Sequence, residues 1–181
     1  MPRDERTDKG DQAVVIPFPQ ALYLHVGEVA VMGAKVEGAL VRLLRQLDPA
    51  RLSQPHKEVT WEPAEKEIRR VLQSADPAVA SEVLETLDWA ATHELRIRRN
   101  RAVHDQYPVI PSGEDFFWRR ITRKELGETV VGPHQELYGQ LRDTAVLLLE
   151  LAARLDDVTY RLGDPSRRRL PFPPPSRWPA G

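Results

Sequence analysis

The sequence predicts an all-α fold, an up-and-down bundle of four to five helices, and the placement of its prolines is the first reason. The chain of 181 residues has 16 prolines, yet the windows 20–48, 78–107 and 134–164 contain none. Proline breaks a helix interior, so long proline-free windows separated by prolines are typical of helices joined by breaks. The second reason is that apolar residues recur at intervals of three and four inside each window.

The first elements follow this pattern in order. Residues 1–19 are predicted to be a disordered leader, because the first dozen residues carry charges of both signs and no apolar core. The window 20–48 is predicted to be an amphipathic helix that ends at Asp48-Pro49. A shorter helix opens at Glu62-Pro63.

The central window, 78–107, is predicted to be one long helix with two distinct faces. Asp76 is its expected N-cap and Pro77 its first-turn residue. One face is an apolar stripe for the core. The other face carries a second stripe at helical spacing, formed by Trp89, His93, Arg96, Asn100, His104 and Tyr107. We expect this second stripe to be a partner surface or a site, with Trp89 and His93 at the interface.

The end of the domain is less regular before its last helix. Residues 112–132 are predicted to be a loop, with a short extended pair around 117–122. Pro133 is the expected first-turn residue of a last helix that Gly163 closes, so the single helical domain covers 20–163. Residues 164–181 hold six of the prolines and an arginine triplet, which predicts an extended, mobile Pro/Arg-rich tail.

Composition and missing motifs exclude several classes of function. The 26 basic residues nearly balance the 27 acidic ones, and the chain has no cysteine. No segment has the pattern of a membrane span or an export signal, so we expect a cytoplasmic protein with no membrane partner. No glutamate stands three residues before a histidine, and no His-Glu-x-x-His or phosphate-binding glycine loop occurs. We therefore expect neither a metal site nor a cofactor.

The sharpest feature is the run Arg98-Arg99-Asn100-Arg101-Ala102-Val103-His104. Asn100 is the only asparagine in the chain. Its spacing of four from His104 places both side chains on one helix face, one turn apart. Arg99 precedes His104 by five residues, so its long side chain must reach around the helix toward the same place.

An Arg-Asn-x-x-x-His run late in a helix of a small all-helical domain resembles the HEPN superfamily. The resemblance rests on Arg99, Asn100 and His104, and it extends in helix order over about residues 20–162. It implies a metal-independent ribonuclease site completed by a symmetric partner, and hence a homodimer that acts on RNA. It also implies a role in toxin or phage-defence systems, with an antitoxin or a defence-system protein as a further partner. The toxin branch often has a tyrosine two residues after the histidine, where this chain has Gln106 and places Tyr107 one residue later.

The chemistry of the three residues agrees with that role. Imidazole exchanges a proton near neutral pH, so His104 suits general acid or base catalysis. The planar guanidinium of Arg99 suits a phosphate, and Asn100 would position His104 or a ribose hydroxyl. Further contacts to RNA are expected from basic and aromatic residues: Arg96, Arg98, Arg101, Tyr107, Trp118, Arg119 and Arg120.

Three other interpretations stay open. The polar residues around Asn100 would also suit a structural cluster at a dimer face. The chain would also suit a non-catalytic HEPN-like module that binds a nucleotide, RNA or a protein. A third interpretation is an accessory protein recruited through the tail at 165–181.

Overall fold

The computed structural model describes residues 20–49, 60–104, 109–112, 115–121 and 128–164, and from 109 to 135 it describes the backbone. The predicted leader, most of the predicted tail and the interval 50–59 lie outside the described residues. In chain order the elements are α1 (Gln20–Leu47), α2 (Trp61–Leu72), α3 (Pro77–Thr92), α4 (Leu95–His104), β1 (Val109–Ser112), β2 (Asp115–Ile121), β3 (Glu128–Pro133) and α5 (His134–Gly163).

The predicted helical bundle is confirmed, and all five helices contribute to one core. The side chains that are almost completely buried are Val29, Val36, Leu40 and Leu43 of α1, Ile68 of α2, Val83 of α3, Leu95 of α4, and Leu148, Leu151 and Leu155 of α5. Burial of an aliphatic side chain of this size contributes about 1.5–3 kcal/mol. The apolar side chains that recur at helical spacing in the sequence are thus the ones that pack the helices together. No helix in the described parts of the chain is long and apolar enough to span a membrane.

Two contacts show that α1 and α5 run side by side in the same direction. The rings of His25 and Tyr138 lie 5.3 Å apart near the starts of the two helices. Further along both helices, Arg42 donates to the carboxylate of Asp156 through Nε and Nη2, at 2.8–3.0 Å. Burial raises the pKa of the Tyr138 hydroxyl above its ordinary value.

The helix α3 runs against α5. Trp89 packs beside Arg154, and Glu82, earlier in α3, forms an ion pair with Arg161, later in α5. The helices α2 and α3 are linked by Arg69, which donates to Asp88 at 2.9 Å.

The start of α3 agrees with the sequence in detail. The Asp76 carboxylate accepts hydrogen bonds from the backbone N–H groups of Ala78 at 2.9 Å and Val79 at 3.4 Å. It thus satisfies two of the donors that a helix leaves open at its first turn, and Pro77 follows at the position where no donor is needed. The end of α5 at Gly163 is also as predicted.

The prediction of one continuous helix over 78–107 is wrong. The helix stops at Thr92 and a new one begins at Leu95, with Glu94 in the left-handed region at φ 52°. A non-glycine residue in this region costs about 1 kcal/mol or more. The window contains no glycine or proline that could have announced the break. Leu95, directly after the turn, is completely buried, so tertiary packing offsets the local strain.

The segment predicted as a loop contains an antiparallel sheet in the order β1-β2-β3. Ile110 pairs with Phe117 and Arg119 pairs with Val130, and the β2–β3 register shifts between Phe117 and Arg119. The extended pair expected around 117–122 is therefore part of a larger sheet, and the all-α description holds for the bundle alone. Pro111 obscured β1, but β1 is an edge strand, where proline is tolerated. Pro133 ends β3, one residue before α5 begins.

Candidate functional site

The helix α4 carries the Arg99, Asn100 and His104 motif and is held on the bundle by two buried residues. Leu95 and Ala102 lie seven residues apart on one face and are buried. The helix contacts α1, α3 and α5. Because that face is anchored in the core, the side chains of Asn100 and His104 on other faces are exposed.

Arg99 is the best-anchored residue of the motif. Its Nη2 donates to Oε1 of Glu37 on α1 at 3.3 Å, and its Nη1 donates to Oδ1 of Asn100 at 3.0 Å. Its side chain is only 20% exposed. Nε of Arg99 is buried and has no hydrogen-bond partner among the described residues. Arg99 is thus fixed by α1 and in turn orients the Asn100 amide.

The close approach of Arg99 to α1 depends on Gly33. A Cβ atom at Gly33 would lie 2.8 Å from Nε and 3.0 Å from Cγ of Arg99. These distances are shorter than van der Waals contact, so any larger residue would push the arginine side chain off α1. The Arg99 side chain therefore packs directly against Gly33, and Glu37, one turn later on α1, binds its guanidinium.

His104 occupies the last position of α4 and is exposed. No described residue forms a hydrogen bond or an ion pair with its side chain. It follows Asn100 by one helical turn, so the predicted spacing of these two residues on α4 is confirmed. The histidine is accessible to a ligand, while the arginine of the motif is fixed by its contacts with α1.

The motif helix has a strongly basic surface. The sequence of α4 contains four arginines and His104 and no acidic residue. Two of the arginines are paired with other helices, Arg96 with Glu62 of α2 and Arg99 with Glu37. Arg98 and Arg101 are exposed. These two exposed arginines lie one on each side of the Arg99-Asn100 pair in the sequence.

Trp89 and His93 belong to a separate cluster. Nδ1 of His93 lies 2.8 Å from the carbonyl oxygen of Trp89, and the two rings are 4.5 Å apart. The guanidinium of Arg154 stacks 4.3 Å from the centre of the Trp89 ring, and Arg154 also binds the buried carboxylate of Glu150 at 2.6 Å. Both residues are thus half-buried by contacts within the chain, and their assignment to an interface stays a prediction.

The break at Glu94 also divides the second stripe predicted from the sequence. Trp89 lies on α3, while Arg96, Asn100 and His104 lie on α4, so the stripe is not one continuous helix face. Its last member, Tyr107, lies outside the described residues.

The structure does not place the other predicted RNA-binding side chains relative to the motif. Trp118, Arg119 and Arg120 are on β2, where the backbone alone is described. Arg119 and Arg120 pair through their backbones with Val130 and Thr129 of β3.

Sequence reasoning missed the two α1 residues that hold Arg99. Glu37 precedes Arg99 by 62 residues, and no local pattern links them. Gly33 was visible in the apolar stripe of the first window, where glycine indicates that another helix approaches closely. The identity of the group that approaches, an arginine side chain, could not be read from that signal.

Two surface depressions lie away from the motif. One, of about 390 Å³, lies between α1 and α5 and is lined by residues that include His25, Met32 and Leu149. The other, of about 160 Å³, lies between α2 and the α3–α4 break, beside Trp61 and Arg96. Neither is lined by a residue of the motif. In the described parts of the chain, no group of three or more histidine or acidic residues could hold a metal ion.

Comparisons of the chain with protein-family models, with curated proteins and with solved structures find no match. The geometry around Arg99, Asn100 and His104 is therefore the basis on which a function can be proposed.

Proposed function

We propose that the protein is a metal-independent endoribonuclease of HEPN type, whose site is shared across a homodimer. One observation carries the proposal. Arg99 is fixed against α1 and donates to Asn100, while His104, one turn after Asn100, is exposed and bound by no described residue. The site thus combines a fixed cation, an oriented amide and an accessible proton-transfer group.

The three residues supply what the cleavage of RNA requires. The ribose 2′-hydroxyl attacks the adjacent phosphorus, the bond from phosphorus to the 5′-oxygen breaks, and a 2′,3′-cyclic phosphate and a 5′-hydroxyl are formed. One group must accept the 2′-hydroxyl proton and another must protonate the leaving oxygen. One chain has a single His104, so a dimer that brings two copies together would provide both groups. The Arg99 guanidinium would stabilise the charge of the pentacoordinate phosphorus.

The pairing of Arg99 with Glu37 limits how a phosphate can bind. The carboxylate engages Nη2 at 3.3 Å, and Nε is buried, so the Nη1 side of the guanidinium, next to Asn100, is the more accessible one. The exposed Arg98 and Arg101 on the same helix would add to the attraction of a phosphate. Glu37 thus positions Arg99 and at the same time offsets part of the charge that attracts RNA.

A second candidate function is a non-catalytic module that binds RNA or a nucleotide. The buried contacts of Arg99 with Gly33 and Glu37 favour it, because they stabilise the packing of α4 on α1 whether or not the site is catalytic. In this case Arg98 and Arg101 would bind phosphates, and His104 would have no chemical role.

A cleavage assay with labelled RNA and excess EDTA, with RNA binding measured in parallel, distinguishes the two functions. The ribonuclease predicts that the wild-type chain produces cyclic-phosphate ends and that His104→Ala binds RNA equally well without cutting it. The binding module predicts that neither chain cuts, and that Arg98→Gln and Arg101→Gln weaken binding. Cleavage by His104→Ala at the wild-type rate would refute the catalytic assignment.

The proposed ribonuclease would act in the cytoplasm, as part of a toxin or phage-defence system. The resemblance of the Arg99, Asn100 and His104 pattern to the HEPN superfamily supports this setting. An antitoxin or a defence-system protein would then control the site. Co-purification of a protein that blocks cleavage, encoded beside this chain, would test that partner.

A further inference from the structure

One face of α1 exposes large apolar side chains that the described residues of the chain do not cover. Among the described residues, three of the five large apolar side chains that are strongly exposed lie on α1. Leu24 is 48% exposed and Val31 is 55% exposed. These two residues are seven positions apart, which is about two helical turns, so they lie on the same face of α1.

The exposed face continues as a regular seam along α1. Small and apolar residues alternate at intervals of three and four, which is the spacing of the contact positions of a coiled coil. We call this face the α1 seam: Leu24, Gly27, Val31, Ala34, Gly38 and Val41. It lies on the side of the helix opposite the fully buried Val29 and Val36. The helix thus has one contact face for the bundle and a second one for which the bundle offers no partner.

Gly27 is the observation that points to a partner. A Cβ atom at this position would meet nothing within 4 Å, so no contact with the described residues requires a glycine there. Glycine in a helix interior costs about 0.5–1 kcal/mol relative to alanine. Gly33, in contrast, is explained by the Arg99 side chain that lies on it. Gly139 of α5 likewise meets nothing within 4 Å, and what sets Gly27 apart is its place between the exposed Leu24 and Val31.

The charged residues beside the seam are complementary between two copies of the chain. Glu28, whose side chain is 43% exposed and lies 3.0 Å from Nδ1 of His25, and the exposed Lys35 flank the same edge of the seam, one heptad apart. In an antiparallel pair of identical helices these edges meet, so Glu28 lies beside Lys35 of the partner subunit, twice by symmetry. In a parallel pair the same edge would meet Tyr23 and Ala30, neither of which offers an opposite charge.

We propose that a second copy of this chain docks on the α1 seam with its own α1 seam, antiparallel. Leu24 then faces Val41 of the partner subunit, and Val31 faces Ala34 of the partner subunit. Gly27 faces Gly38 of the partner subunit, where a Cβ atom would meet within the chain one group, the Arg42 guanidinium at 3.3 Å. The helices can approach closely where Gly27 and Gly38 face each other, at two places in the dimer. The apolar pairs between them remove Leu24 and Val31 from water.

This interface does not rest on the proposed ribonuclease activity, but it bears on it. In the stated register the twofold axis passes between residues 32 and 33, next to the glycine that supports Arg99. Glu37, which binds Arg99, flanks the edge of the seam opposite Glu28. The antiparallel pair therefore places both Arg99 side chains on the same side of the two α1 helices.

The oligomeric state, measured by light scattering and sedimentation over a concentration series of the full chain, tests the seam. The wild-type chain is expected to be a dimer, and Val31→Glu a folded monomer, since position 31 is exposed in the single chain. Tyr160→Glu is the matched control, because it changes an exposed aromatic residue on α5 and is expected to leave the dimer intact. A monomeric wild-type chain would overturn the proposal, whether its seam is bare or covered by residues 1–19. A dimeric Val31→Glu would overturn it as well.

A charge exchange tests the antiparallel direction without altering the apolar layers. Glu28→Lys would place two lysines side by side across the interface, and Lys35→Glu would place two glutamates side by side. Each change would create this like-charge contact at two places in the dimer. Each single variant is expected to raise the dimer Kd about tenfold, and the double variant to restore it. Single variants with the wild-type Kd, or a double variant weaker than both, would contradict this register.

Cysteine pairing provides a second measure of direction, because the natural chain has no cysteine. An oxidised mixture of Val31→Cys and Ala34→Cys is expected to form the mixed disulfide faster than either variant forms a disulfide with itself. Rapid formation of a Val31→Cys disulfide with itself would instead indicate a parallel pair. Because these readouts do not depend on RNA cleavage, a dimer that persists in Val31→Glu would refute the seam and leave the proposed shared site standing.

Discussion

Arg99 shows how one side chain can serve both packing and chemistry. It lies across Gly33, binds Glu37 and donates to Asn100, so it links α1 to the motif of α4. Most arginines on exposed helix faces gain little from their ion pairs, because both partners are solvated and mobile. Arg99 differs because its side chain is largely buried and occupies the space that Gly33 leaves on α1. Its neighbours on α1 are therefore the residues through which the site can be altered without touching the motif.

Gly33→Ala is expected to displace Arg99 and to impair cleavage while leaving the fold intact. The added methyl group would lie 2.8 Å from Nε, so the arginine must move, and a displaced catalytic group lowers the rate about tenfold or more. The gain in helix propensity offsets part of the packing cost, so we expect the free energy of unfolding to change by less than about 1 kcal/mol.

Gly139→Ala on α5 is the control for that experiment, since a Cβ atom there would meet nothing within 4 Å. It is expected to raise the free energy of unfolding by about 0.5–1 kcal/mol and to leave cleavage unchanged. Equal cleavage by the two alanine variants would show that the position of Arg99 does not matter.

Glu37→Gln is expected to strengthen RNA binding. The amide oxygen can still accept the hydrogen bond from Arg99, but the negative charge that offsets the guanidinium is gone. We expect the RNA Kd to fall by about threefold to tenfold at low salt, and the affinity to depend more steeply on salt.

Glu62→Gln provides the comparison, because Glu62 pairs with Arg96 at a more exposed place on α2. It is expected to change RNA affinity less than Glu37→Gln does. Binding measured by fluorescence anisotropy at several salt concentrations would decide this, and an unchanged Kd for Glu37→Gln would argue against phosphate binding at Arg99.

At the scale of the elements, the break between α3 and α4 has the largest effect on the candidate site. It separates the cluster of Trp89 and His93 from the motif and lets α4 take its own direction against α1. The turn places Glu94 at a positive φ, which is unfavourable for a residue with a Cβ atom, while Leu95 is fully buried directly after it. The position of the Arg99-Asn100 pair thus depends on a strained turn a few residues before it.

Glu94→Gly is expected to stabilise the protein, because glycine adopts a positive φ without steric cost. We predict an increase of about 1 kcal/mol in the free energy of unfolding, measured by urea denaturation. Ser81→Gly, at an exposed position inside α3, is the control and is expected to lower the free energy by about 0.5 kcal/mol. A loss of stability in both variants would mean that Glu94 makes a favourable contribution that outweighs its backbone strain.

At the scale of the whole molecule, the helical bundle could be predicted because most helix ends are marked by local sequence signals. Asp76 and Pro77 start α3, Gly163 ends α5, and the apolar stripes follow a local period. The break at Glu94 has no such signal, because it results from packing against other helices. The three-stranded sheet was hidden by prolines and by a basic, aromatic composition.

The candidate site divides in the same way. The spacing of Asn100 and His104 follows from helix geometry and is visible in the sequence. The contacts of Arg99 with Gly33 and Glu37 join residues more than 60 positions apart, so the folded chain was needed to find them. Both α1 residues belong to a helix for which the sequence predicted no functional residue.

The single-turnover rate of RNA cleavage in excess EDTA, compared between the wild-type chain and His104→Ala, tests the central claim most directly. His25→Ala, which alters a half-buried histidine on α1 away from the motif, serves as the control. We predict that the loss of His104 lowers the rate constant at least ~100-fold and that His25→Ala leaves it unchanged. Equal rate constants for the wild-type chain and His104→Ala would contradict the assignment of Arg99, Asn100 and His104 as a ribonuclease site.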